Sequence, residues 1–118
     1  MNNIKYSEFV NTLTKDGALI LSELTPEDAD LIHMVLGISG KAGELLDAVK
    51  KRVIYRKELD LENIVEELGD LEFYMERLRQ SLNLNRDVII EMNMKKLSVR
   101  YAAGYTDKQA HDRIDKEK

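Results

Sequence analysis

The sequence predicts an all-α protein, a small helical bundle, and three observations carry that expectation. Its apolar residues recur at threes and fours instead of alternating, its polar breaks each offer a helix cap, and its single proline stands where a helix would begin. At 118 residues without cysteine or tryptophan, the chain has no disulfide scaffold and no CxxC zinc site. The core must therefore come from Leu, Ile, Val and Met, and the whole of 1–118 is expected to form a single domain.

The N-terminal segment, 1–24, reads as helical from Tyr6 to Leu24 with an interruption near Asp16 and Gly17. Thr25-Pro26-Glu27-Asp28 is the clearest start signal. It offers a threonine cap, a proline at the first helical position and acids facing the helix dipole. A long helix should follow to about Ile54, with Leu31, Val35, Ile38, Ala42, Leu45, Val49 and Val53 as its apolar stripe. Gly37, Gly40 and Gly43 weaken it, each by about 1 kcal/mol relative to alanine.

Arg56-Lys57-Glu58 reads as a polar connection, after which Asp60 can cap a second long helix with Ile64, Leu68, Leu71, Met75 and Leu78 on one side. Leu84-Asn85 breaks the pattern. Asn85 should cap a third helix running to about Tyr101, ended by Ala102-Ala103-Gly104. Thr106-Asp107 can cap a short terminal helix within a tail, 106–118, that is expected to fray from Arg113 onward. The two long helices should lie antiparallel. Stripes this broad on so small a bundle suggest that a partner chain covers them, and hence an oligomer.

A formal net charge of -4 argues against a nucleic acid polymer as partner. No stretch approaches the roughly 18 apolar residues that a bilayer span requires, and the N-terminal residues lack the apolar run of a secretory signal, so a cytoplasmic location is the expectation. With only His33 and His111 as histidines, any metal would be a hard, oxygen-liking one.

Two carboxylate clusters interrupt the seams of the long helices: Glu44-Leu45-Leu46-Asp47 and Glu66-Glu67-Leu68-Gly69-Asp70. Glu67 and Asp70, three apart, share one helical face, and a facing helix could bring Glu44 opposite them. Solvated charge is the ordinary state of Glu and Asp on a helix, and Lys41, Lys50, Lys51 and Arg77 supply partners at helical spacing. Position sets these acids apart, because Asp70 lies between Leu68 and Leu71 and Glu44 directly precedes Leu45. Converging carboxylates repel unless a cation sits among them.

The stretch from His33 to Lys51, with Gly40-Lys41-Ala42-Gly43-Glu44 at its centre, followed by Glu66-Glu67-Leu68-Gly69-Asp70, resembles the MazG-like all-α nucleoside triphosphate pyrophosphohydrolases, which carry ExxE on one helix and ExxD on the next. Asn93-Met94-Lys95-Lys96-Leu97-Ser98-Val99-Arg100-Tyr101 resembles the NxxKLxxRY segment of that family. The resemblance spans about His33 to Tyr105. It implies hydrolysis of a nucleoside triphosphate to a monophosphate and pyrophosphate with Mg2+, or Mn2+ in its place. It further implies Glu44, Glu67 and Asp70 as metal ligands, Asn93, Lys96, Arg100 and Tyr101 near the nucleotide, and a homodimer or dimer of dimers.

One residue departs from the pattern. Where ExxE begins with glutamate this chain has Lys41, whose ammonium would repel a divalent ion and neutralise the remaining acids. Asp47 could offer a replacement oxygen, displaced along the helix by about a turn. Two functions stay open. One is a metal-dependent pyrophosphohydrolase clearing unwanted nucleotides; the other is a catalytically impaired nucleotide-binding or helical interaction module. Among the remaining residues, Lys96 and Arg100 also fit a solvated helix face, Tyr101 and Tyr105 a cover for the bundle end, His33 a core or interhelical position, and Tyr74 a packing role, or else orienting an acid or stacking on a base.

Overall fold

The structure, a computed structural model, describes residues 4–113, and among them it is all-helical with no strand. Six helices follow in order: α1 (Tyr6–Leu13), α2 (Gly17–Glu23), α3 (Pro26–Val53), α4 (Leu61–Ser81), α5 (Arg86–Arg100) and α6 (Asp107–Asp112). Residues 114–118, on which most of the expected fraying falls, lie outside the described residues.

Local chemistry sets the boundaries. At the start of α3 the Asp28 N–H donates to Thr25 Oγ1 and the Thr25 N–H donates to Asp28 Oδ2, both at 3.1 Å, which is a reciprocal capping box. Lys50, Lys51 and Arg52 occupy its last turn, where cations meet the negative end of the dipole. Asp60 caps α4 by accepting from the Asn63 N–H at 3.1 Å, Asn85 caps α5 through the Asp87 N–H at 2.8 Å, and Thr106 caps α6 through the Gln109 N–H at 3.1 Å. Asp16 does the same for Ala18 at the interruption between α1 and α2. Beyond α5 the backbone turns through Gly104 at φ 91°, a left-handed conformation that favours glycine.

α3 and α4 pack as an antiparallel hairpin, and this is the one extensive contact between helices among the described residues. Each step forward along α3 meets the same step back along α4. Gly37 faces the Tyr74 ring, Lys41 faces Asp70, and Lys41 and Glu44 approach Glu67. The seam overlaps the expected stripe in part, since its Leu31, Ile38 and Leu45 are half-buried. Met34 and Ala48 are the buried apolar residues, whereas Val35, Val49 and Val53 stay exposed. The physical reason is width: α3 carries apolar residues on more of its circumference than one neighbouring helix can cover.

One chain alone does not close into a compact bundle. Its radius of gyration is 20.5 Å, against about 13 Å for a compact domain of this length. No described helix is long and apolar enough to cross a membrane.

Candidate functional site: an acidic centre on the α3–α4 hairpin

Helical spacing alone puts Lys41 and Glu44 on one face of α3, and Glu67 and Asp70 on one face of α4. The antiparallel register then turns these faces toward each other. One turn away, the Tyr74 ring lies directly on Gly37, where the missing Cβ lets the helices approach closely. Lys41 Nζ stands 3.1 Å from Asp70 Oδ2, 3.3 Å from Glu44 Oε2 and 3.8 Å from Glu67 Oε2. Glu67 is the buried acid of the set, with 5 % of its surface exposed, and its Oε2 has no hydrogen-bond partner.

The charges respond to one another. Hydrogen bonding to Asp70, then to Glu44, holds the Lys41 ammonium protonated well above the ordinary lysine range. The hydrogen bond with Glu67, and after it the one with Lys41, lowers the Glu44 carboxyl. Its counterpart raises Glu67, and burial pushes in the same direction. The two glutamates are thus pushed in opposite directions, Glu44 toward its charged form and Glu67 away from it.

The donor set is that of a hard-cation site, since carboxylate oxygens are what Mg2+ or Mn2+ would take. Its centre is filled by the chain's own cation. Among the described residues no group of three or more His, Cys, Asp or Glu is placed to hold a metal ion. As arranged, with Lys41 at the point where the acids converge, these residues do not fit a divalent ion.

The other candidates lie apart. Asp47 turns away from the centre and pairs with Lys51 at 3.3 Å, one turn along α3. Asn93, Lys96, Arg100 and Tyr101 run from the middle of α5 to its C-cap, and α5 makes no extensive contact with the hairpin. Lys96 is half-buried beside a shallow groove shared with Ile89, Met92 and Asn93. Arg100 stands over the Tyr101 ring at 5.8 Å, and the Tyr101 and Tyr105 rings lie 5.3 Å apart. Tyr105 donates its hydroxyl to Asp107 at 2.7 Å, which raises its pKa because ionisation would lose that bond. His33 meets the edge of Tyr74 across the two helices at 6.3 Å, an interhelical contact.

Sequence reasoning missed the seating of Tyr74 on Gly37 and the contact between Glu44 and Glu67 that shifts their carboxyls in opposite directions. A glycine one turn before Lys41 and an aromatic residue one turn after Asp70 were the available signal.

No family model, curated protein or solved structure matches the chain. The hairpin geometry and the sequence pattern therefore carry the functional argument.

Proposed function

We propose that this chain is a helical nucleoside triphosphate pyrophosphohydrolase of the MazG-like type, cleaving a nucleoside triphosphate to its monophosphate and pyrophosphate. The acidic centre of α3 and α4 would handle the triphosphate. The observation that carries this reading is the convergence of Glu44, Glu67 and Asp70, drawn from two helices, within 3.1–3.8 Å of one cation. Surface charges seldom converge so, and a nearly buried glutamate is costly to keep unless the site uses it.

The residues present suggest a division of labour. Asp70 and Glu44 hold positive charge where a polyphosphate needs it, and Glu67 anchors them from the seam. Lys41, on a flexible stem with 27 % of its side chain exposed, can turn its ammonium from a carboxylate to a phosphate oxygen. Asn93, Lys96, Arg100 and Tyr101 would contact the nucleotide. Because α5 stands apart from the hairpin within one chain, this reading calls for the assembled protein, a homodimer or dimer of dimers. The exposed surface supports assembly. It totals 10143 Å², whereas a compact monomer of 13.6 kDa exposes about 6,600 Å². An excess of about 3,500 Å² per chain is at least as much as each chain of an obligate oligomer hides. Mg2+, or Mn2+ in its place, would have to arrive with the triphosphate, supplying charge neutralisation there once Lys41 has turned from the acids. Clearing unwanted nucleotides from a cytoplasmic pool is the role that goes with this activity.

One observation favours a second reading. Lys41 already neutralises the acids, as expected of a chain that binds nucleotides or helical partners without hydrolysing them. Incubation of the protein with a panel of nucleoside triphosphates and Mg2+ or Mn2+ separates the two. The hydrolase yields equal amounts of monophosphate and pyrophosphate from at least one nucleotide; the binding module yields neither, while calorimetry still detects nucleotide binding.

A further inference from the structure

We propose that Lys41 is a built-in cation standing in place of a divalent ion, so that the nucleotide-free protein holds its acidic centre together without metal and takes up neither Mg2+ nor Mn2+ there. This inference stands on the geometry of α3 and α4 and is independent of the hydrolytic reading.

The ammonium has three N–H donors, and two of them suit the oxygens of Asp70 at 3.1 Å and Glu44 at 3.3 Å. The third direction faces Glu67 Oε2 at 3.8 Å, an oxygen that has no hydrogen-bond partner. A buried, unpaired carboxylate oxygen is unfavourable, and this tethered positive charge is what offsets it. A divalent ion would need the same oxygens at about 2.0–2.6 Å, from the space that the ammonium occupies.

Charge counting agrees with the geometry. Three carboxylates less the charge of Lys41 leave a smaller net attraction for an ion that gives up its water reluctantly. Tethering adds a further advantage. A side chain fixed one turn from its partners competes at an effective concentration far above that of a free ion.

The test is a Mn2+ titration of the full chain without nucleotide, read by water-proton relaxation, for the parent, Lys41→Met and Lys41→Glu. Helicity by circular dichroism shows which variants are folded. The parent should show no Mn2+ held at this centre, and its melting temperature should not respond to Mg2+. Lys41→Glu should bind Mn2+ at least about tenfold more tightly than the parent, with Lys41→Met between them. One Mn2+ per parent chain, lost on Glu67→Gln, would overturn the proposal. So would folded variants that bind no better than the parent, because the ammonium would then not be what keeps the ion out.

Discussion

Gly37→Ala should lower the stability of the chain, while the same substitution one turn nearer the C-terminus of α3, at Gly40, should raise it. A Cβ built on Gly37 lands 2.7 Å from Cγ of the Tyr74 ring, well inside the 3.5–4.0 Å at which carbon atoms rest together. Nothing lies within 4 Å of the corresponding position on Gly40. Alanine gains about 1 kcal/mol over glycine in a helix interior at either site. At Gly37 that gain meets an overpacking cost of about 2–3 kcal/mol, the upper part of the usual range, because the overlap falls along one side of a rigid ring, at Cδ1, Cε1 and Cγ, and not on a flexible side-chain end. The net loss is about 1–2 kcal/mol, or roughly 4–8 °C in melting temperature for a chain of this size, against a rise of about 4 °C for Gly40→Ala. Thermal melts followed at 222 nm would measure both. Adding Tyr74→Ala to Gly37→Ala should abolish the separate penalty of the alanine, since the ring it strikes is gone. Melting of Gly37→Ala at or above the parent temperature would refute the close approach that sets the helix spacing at the acidic centre.

The glutamate pair gives stability two opposing pH slopes. Glu44, lowered from 4.5, contributes stability above its unfolded value that is lost as pH falls through its folded one; Glu67, raised from 4.5, contributes stability below that value that is lost as pH rises. Melting temperature against pH should therefore lose, in Glu67→Gln, the decline that sets in as pH rises above 4.5, and an unchanged profile would count against the raised Glu67 carboxyl. Sedimentation should find a dimer or tetramer at micromolar protein, whereas a helical, cooperatively melting monomer would show that the exposed apolar faces need no partner.

Helix boundaries were legible in the sequence because they depend on a few residues each. Thr25, Asp60, Asn85 and Thr106 cap the helices that their side-chain chemistry predicts. The acidic centre was legible in part. Spacing put Glu67 and Asp70 on one face, and the register that brings Glu44 to them follows once two helices lie antiparallel. What periodicity left unresolved was which arc of a broad apolar surface becomes the seam. Met34 and Ala48 are buried there, with Tyr74 seated on Gly37 in the same seam, while Val35 and Val49 stay exposed. The distance between α5 and the hairpin was equally unreadable, because local pattern says nothing about how far a neighbouring helix swings from the one before it.

Two properties are at issue: hydrolysis of triphosphates by an acidic centre of this design, and its restraint by Lys41. The most direct measurement is pyrophosphate release from the nucleotide panel with Mg2+, by the parent and by Lys41→Glu side by side. The account predicts release by the parent and faster release by the variant, in which the fourth acid returns to the centre. No pyrophosphate from either protein, both folded and assembled, would contradict it.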